Sequence, residues 1–327
     1  MLQRFFQKYT GFLRSLKWVY VLNNLLNYKH LRQNKALYKR LGLHKSVVSP
    51  IGSTDFPDKS GELPWLDRPD AADMVEKHPN FQLMEPDLQV QVRQFIRDGY
   101  LILEGFYSKP DTDALNAEVD RLLGAGKTGF NYTGRKIFNL HAQSSLADAY
   151  FFRQPEMLKL LSFLLGKPVI PFQSLNFVQG SEQRAHSDSI HMTTEPPGYL
   201  IATWTALEDC TEACGPLFYY PGSHRLPYVM TTDYDSGNTR FTIGSTSNRR
   251  YEDKIAELIA THKLEKKLFL AQRGDVLIWH ANLLHGGDPI STQGSTRRSM
   301  VCHYYAEGVF CFHEMSQRPA IIRHRNF

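Results

Sequence analysis

Three side chains in this sequence are spaced to share one metal ion. In Arg184-Ala185-His186-Ser187-Asp188 an imidazole and a carboxylate stand two residues apart, so on extended backbone they project to the same side. A third ligand must come from elsewhere in the chain. The best placed is His285, in Leu283-Leu284-His285-Gly286-Gly287-Asp288, just beyond the apolar run Asp275 to Trp279. Two histidines and one carboxylate on one face of an ion leave three positions open, the arrangement of non-haem iron(II) centres that bind a cosubstrate and oxygen together. A His-x-Asp pair alone is a weak signal, and what strengthens it is its company. Arg297-Arg298-Ser299 opens a further apolar run. On a strand Arg297 and Ser299 share a face, where a guanidinium can grip a carboxylate by two parallel hydrogen bonds and a hydroxyl can add a third. Arg298 alternates to the opposite face and has Met300 two residues on.

The elements that must carry these groups are short strands. From about Val169 the sequence runs in short apolar or alternating stretches separated by turn residues: Gln173 to Val178, Tyr199 to Leu207, Leu217 to Tyr220, Lys267 to Ala271, Asp275 to Trp279 and Ser299 to Tyr305. This pattern predicts a mainly β fold with flanking helices, built on a β-sandwich or jelly roll. Upstream, helical periodicity covers Asp87 to Arg97, Gly99 ends it, Tyr100 to Leu103 reads as a strand, and a second helix runs from Asp111 to Leu123. Between Met230 and Arg250 lies a polar stretch rich in Gly, Ser, Thr and Asn, followed by a helical one from Tyr251 to His262. An insertion of this length between sheet strands reads as a lid, about residues 230–262.

Strand parity also sorts the other histidines. His191 and His280 lie five residues from His186 and His285 respectively, and on a strand an odd spacing turns each away from its partner. Both are expected to be structural or to support the ligands. His224, in Pro221-Gly222-Ser223-His224, is expected to stabilise a turn, and His303 and His313 to be satisfied buried residues near the pocket.

Charge divides the 327 residues unevenly. Residues 1–54 hold ten basic side chains and no acidic one, so the rest carries 28 basic against 33 acidic groups although the whole chain has a net charge of +5. A basic head on a mildly acidic body gives no ground for nucleic-acid binding. Within the head, Leu2, Phe5, Phe6, Tyr9, Phe12, Leu13, Leu16 and Tyr20 recur at helical steps with Arg4, Lys8, Arg14 and Lys17 between them. Such a basic amphipathic helix, residues 2–20, packs on the protein body or on a second subunit, or else makes peripheral contact with an anionic membrane; packing is the commoner use. Its apolar run is interrupted by Asn23 and Asn24, short of the roughly 18 residues a spanning helix needs. Residues 50–80, rich in Pro, Gly, Ser and Asp, read as an irregular connection, so residues 1–80 form a basic helical segment with a linker and residues 81–327 the catalytic domain. Cys210, Cys214, Cys302 and Cys311 are too few and too scattered for a disulfide framework, which with no cleavable leader points to reduced thiols in the cytoplasm, at most peripheral at a membrane.

The ordered motifs His186-Ser187-Asp188, Gly215-Pro216-Leu217, Pro221-Gly222-Ser223-His224, His285-Gly286-Gly287 and Arg297-Arg298-Ser299 resemble those of the phytanoyl-CoA dioxygenase family. The resemblance runs from Asp98-Gly99-Tyr100 to about Tyr305 and leaves residues 1 to about 80 unexplained. It implies a double-stranded β-helix of cupin-like form and an iron(II)- and 2-oxoglutarate-dependent oxygenase. His186, Asp188 and His285 match the iron ligands, Arg297 and Ser299 match the group that takes the distal carboxylate of 2-oxoglutarate, and Gln173 and Trp204 sit where similar proteins line the pocket. The implied reaction consumes oxygen, with ascorbate as a reductant, and releases succinate and carbon dioxide while hydroxylating an unactivated C–H bond of a small-molecule, acyl, lipid-linked or sugar-linked substrate. The intact carboxylate of Asp188 favours hydroxylation over halogenation, since similar halogenases lack it. The alternative is a non-catalytic metal-binding jelly-roll receptor or scaffold, which would have no use for Arg297.

Overall fold

A computed structural model describes residues 12–56, 62–131 and 134–322. Three helices open it, Lys17–Leu26 (α1), Tyr28–Leu31 (α2) and Asn34–Arg40 (α3), followed by Ala71–Glu76 (α4), Pro79–Gln82 (α5) and Pro86–Asp98 (α6). Helix α6 has Pro86 in its first turn, Asp87 beside it, Arg97 in its last turn and Gly99 as a left-handed cap at φ 81°, which is the sequence order a helix of this length requires. Helix α7 (Lys109–Gly124) starts on a reciprocal cap, in which the Ser108 hydroxyl accepts from the Asp111 N–H at 3.3 Å and the Asp111 carboxylate accepts from the Ser108 N–H at 3.2 Å. Helices α8 (Pro155–Leu165) and α9 (Ser247–Thr261) complete the set.

The strands are Tyr100–Leu103 (β1), Lys136–Phe138 (β2), Val169–Phe177 (β3), Thr193–Glu195 (β4), Leu200–Ala206 (β5), Leu217–Tyr219 (β6), Lys267–Phe269 (β7), Val276–His280 (β8), His285–Gly287 (β9), Ser299–Ala306 (β10), Phe310–His313 (β11) and Arg318–Pro319 (β12). All pairings are antiparallel. Six strands form a large sheet in the order β1-β8-β5-β10-β3-β2, faced by the smaller sheet β7-β6-β9, while β12-β11-β4 makes a third. This is the expected mainly β, jelly-roll architecture with flanking helices.

The large sheet works through its two-residue alternation. Val276, Ile278, Met300, Cys302 and Tyr304 turn outward into one core with α6, α7 and α8. Leu277, Trp279, Trp204 and Val301 turn inward against Leu217, Tyr219 and Phe269 of the small sheet. The inner face therefore carries both the second core and the cavity. Burial of this kind, at about 25 cal/mol per Å² of apolar surface, is the main source of fold stability.

Packing is continuous across residue 81, because Leu66, Ala71 and Val75 share the outer core with Val92 and Leu161. The basic head is likewise seated: Leu31, Tyr38, Val47, Ile51 and Phe56 bury against Phe310 and Phe312 of β11. The buried Glu314 carboxylate joins three segments, accepting from the Ser53 N–H at 2.7 Å, the Ser53 hydroxyl at 2.9 Å and the Thr231 hydroxyl at 2.5 Å. Of the expected helix over residues 2–20, the portion 1–11 lies outside the described residues. The remainder inverts the usual pattern. On α1 the buried positions are Lys17 and Asn24, 5% and 1% exposed, while Trp18, Leu22 and Leu26 are 57%, 51% and 77% exposed.

Candidate active site

Two backbone devices bring the triad together. His186 and His285 form an antiparallel bridge, each N–H donating to the other's carbonyl at 2.9 Å, and Ser187 is extended at φ −106°, ψ 151°. His186 and Asp188 consequently face His285 on β9. The His-Gly-Gly motif has a steric reason: a Cβ on Gly286 would lie 2.6 Å from the Gln183 carbonyl, and one on Gly287 2.5 Å from the Ser181 hydroxyl.

All three side chains are buried, and their ligand atoms lie within 4.8 Å of one another. Asp188 Oδ1 stands 4.0 Å from His186 Nε2 and 3.8 Å from His285 Nε2. The Nδ1 atoms are engaged on the other side, bonding the Arg184 carbonyl at 2.9 Å and the Leu283 carbonyl at 3.0 Å. Those bonds place the ring protons on Nδ1 and leave both Nε2 lone pairs aimed at one point, as metal-binding imidazoles require. The indole N–H of Trp279 donates to Asp188 Oδ2 at 2.8 Å, and His303 Nε2 is 3.4 Å from the same oxygen. One carboxylate oxygen is thus occupied and the other turned to the histidines.

Burial drives the His186 imidazole far below its ordinary range, and His285 beside it adds to the effect. Burial alone would raise the Asp188 carboxyl, but the surrounding charges of His285, His303 and His186, with the His303 hydrogen bond, outweigh it and hold the group well below the usual carboxylate range. A neutral imidazole and an ionised carboxylate are the forms that bind metal. The donor set, two imidazole nitrogens and one carboxylate with an open side, fits iron(II).

The triad lines a cavity of about 450 Å³, the size of a small-molecule site. Arg297 lies just before β10, its backbone N–H bonded to the Val178 carbonyl at 2.9 Å. Its side chain is buried in the cavity wall, with Nη1 donating to the Gly215 carbonyl at 2.7 Å. Its Nε has no partner among the described residues, and its guanidinium lies 5.8 Å from the Trp204 ring. Burial pulls its pKa down. An uncompensated buried guanidinium is costly, and a ligand carboxylate relieves that cost. Trp204 and Gln173 both line the cavity, and the Trp204 indole N–H is another buried donor without a partner. Ser299 is fully buried two residues beyond Arg297, with its hydroxyl 3.5 Å from the Arg297 carbonyl.

The remaining histidines divide. His280 faces away from the cavity, 3.0 Å from Asp67 and beside His224, and His303 enters the site. His191, expected to turn away, instead lines the cavity with its ring 6.3 Å from that of His186. The cause is a 3-10 turn over Asp188–Ile190 that breaks strand parity. Cys210 and Cys214 approach to 3.0 Å between sulfurs, both free and buried, next to the Gly215 carbonyl that holds Arg297. The sequence reasoning missed Trp279, Gln183 and Lys136. Lys136 Nζ donates to Gln183 at 3.1 Å, and Gln183 Nε2 is 3.2 Å from His186 Nε2. Trp279 was visible as an inward-facing strand residue, but nothing in its local sequence distinguishes it from a core aromatic.

The jelly-roll fold, the buried two-histidine, one-carboxylate cluster and the unmatched arginine beside it define the class of iron- and 2-oxoglutarate-dependent oxygenases. The family model of phytanoyl-CoA dioxygenase (PhyH) matches residues 95–299, and the chain belongs to that family. Among curated relatives, the ectoine dioxygenase of Sphingopyxis alaskensis is 28% identical over 226 residues, covering 62% of this chain and 72% of its own. The peroxisomal phytanoyl-CoA dioxygenase of Bos taurus is 22% identical over 241 residues, 66% of this chain and 68% of its own. Among solved structures, EctD from S. alaskensis with 2-oxoglutarate and 5-hydroxyectoine shares the fold at TM-score 0.52 and 24% identity, covering 72% of this chain and 86% of that one. The protein is an iron(II)- and 2-oxoglutarate-dependent dioxygenase acting on a small-molecule substrate, which leaves the receptor or scaffold alternative without support. No helix among the described residues is long and apolar enough to cross a membrane.

Proposed function

We propose that His186, Asp188 and His285 hold the iron(II), that Arg297 with Ser299 beside it anchors the distal carboxylate of 2-oxoglutarate, and that the enzyme hydroxylates a C–H bond. The observation that carries this is the pair of inward Nε2 atoms facing Asp188 Oδ1, in one cavity with a buried arginine that no carboxylate among the described residues pairs with. When bound, iron and 2-oxoglutarate supply the oxidising chemistry, with oxygen consumed and succinate and carbon dioxide released. The chain's own part is positional. Trp279 fixes which oxygen of Asp188 faces the ion, the Arg184 and Leu283 carbonyls fix the imidazole rings, and Trp204 and Gln173 close the wall beside Arg297. Enclosure by the two sheets excludes water from the reacting centre.

Two tests bear on this. Anaerobic addition of iron(II) and 2-oxoglutarate to the purified protein is expected to give one equivalent of bound iron with a weak visible charge-transfer band; absence of the band overturns the assignment. Asp188→Ala is expected to abolish succinate formation, and retained turnover places the carboxylate ligand elsewhere.

We further propose that residues 230–262 cover the site as a lid, that the enzyme is cytoplasmic, and that the basic head touches an anionic membrane peripherally. The exposed Trp18, Leu22 and Leu26, on a segment without acidic side chains up to residue 54, favour that second reading of the head over simple packing. Binding to phosphatidylcholine vesicles containing one-third phosphatidylglycerol is expected for the wild type and lost in Trp18→Glu/Leu22→Glu; equal binding by the two proteins removes the membrane role.

A further inference from the structure

The cavity has a second cationic wall that the family match does not account for. The match ends at residue 299, yet Tyr305, Phe312, His313 and Arg318 line the cavity from beyond it, and Arg14 does so from before it. Asp188 is the single acidic side chain in the cavity wall among the described residues, and it belongs to the triad.

Arg318 sits on β12 opposite His313 of β11, with its guanidinium over the Tyr20 ring at 5.1 Å. No carboxylate reaches it among the described residues, and its neighbours within electrostatic reach are Tyr20, Arg14 and Tyr305. Burial and the like charge of Arg14 both lower its pKa. Two guanidinium groups brought to one wall of a partly desolvated cavity repel each other, and a bound anion relieves that repulsion. A row of imidazoles leads from this wall to the metal centre: the His313 ring is 5.4 Å from that of His191, which is 6.3 Å from that of His186. Phe172, Leu175, Phe177 and Phe312 give the same cavity an apolar part of its lining.

We infer that the substrate is an anionic amphiphile, whose phosphate or carboxylate group is taken by Arg318, with Arg14 adding charge, and whose apolar body lies along Phe172 and Phe312 toward the triad. Arg318 is then a specificity-determining residue for the reaction proposed above, on which this inference rests.

The test is a calorimetric titration of the anaerobic iron(II)–2-oxoglutarate protein with octyl phosphate, octanoate, octanol and inorganic phosphate. Octyl phosphate or octanoate is expected to bind about tenfold or more tightly than octanol, as a charge-assisted hydrogen bond gives. Inorganic phosphate, having no apolar body, is expected to bind more weakly than octyl phosphate. Arg318→Met is expected to erase the preference for the charged probes while leaving octanol binding and the charge-transfer band unchanged, and Arg318→Lys to retain most of it. The inference is overturned if the charged probes bind no better than octanol, or if the preference survives in Arg318→Met. It is also overturned if octyl phosphate bleaches the band by displacing 2-oxoglutarate, which locates the anion at Arg297, or if inorganic phosphate binds as tightly as octyl phosphate. Absence of the band in the wild type defeats the iron assignment instead, and the same titration of metal-free protein still decides whether Arg318 selects anions.

Discussion

At the scale of single residues, the triad depends on groups that never touch the ion. Trp279 donates to the outer oxygen of Asp188, and losing such a support for a metal ligand costs roughly 10–100-fold in metal affinity. Trp279→Phe is therefore expected to weaken iron binding by about that factor while the fold survives, measured by competition with a chromogenic chelator; unchanged affinity would show that the carboxylate is oriented without it. Arg297→Met is expected to raise the 2-oxoglutarate Kd by about tenfold to a hundredfold, the worth of one lost charge-assisted pair, with iron binding retained. The residues that the structure brings together at the cavity were legible in the sequence, because the His-x-Asp spacing, the distal His-Gly-Gly and the Arg-x-Ser each have a stereochemical reason to be where they are. The supports were not. Trp279 and Gln183 act through contacts made across the fold, and the alternation rule misplaced His191 because it assumed an extended chain where a 3-10 turn intervenes.

At the scale of elements, the insertion supports the triad directly. The Tyr251 hydroxyl on α9 accepts from the Ser187 N–H at 3.0 Å and bonds the Ser187 hydroxyl at 3.0 Å, so the helix braces the residue between two ligands of the triad. Arg184, just upstream, bonds Glu252 and Asp253 of the same helix. Tyr251→Phe leaves a buried N–H and hydroxyl without that partner, at a cost of about 1–3 kcal/mol. A fall of that size in urea unfolding free energy is expected, accompanied by weaker iron binding; loss of stability with iron affinity intact would make α9 structural alone. Element existence was well read where periodicity was long enough to register, as for α6, α7, β5 and β10. Strands β2, β4, β9, β11 and β12 have two to four residues each, too few for any alternation to be seen, and they exist because neighbours already in place offer them hydrogen bonds. The burial of Lys17 and Asn24 with Leu22 outside runs against every helical pattern rule, and a sequence reading cannot foresee it.

At the scale of the whole molecule, binding to the native state alone stabilises it. Iron and 2-oxoglutarate, each at about 100 times its Kd, each add roughly 2.7 kcal/mol, which raises the thermal midpoint by several degrees for a chain of this size. Scanning fluorimetry with and without both ligands measures this, and Asp188→Ala is expected to remove the shift.

The backbone bridge between Leu16 and Thr242, with Lys17 N–H donating to the Phe241 carbonyl at 2.9 Å and Ile243 N–H to the Ser15 carbonyl at 2.7 Å, ties the basic head to the insertion. The same insertion holds Ser187 through Tyr251. If the exposed face of α1 binds a surface, these contacts give it a route of coupling to the cavity, and any such linkage is reciprocal. If an anionic surface tightens substrate binding by some factor, substrate tightens surface binding by the same factor, so the enzyme is retained where its substrate is abundant and released once that substrate is consumed.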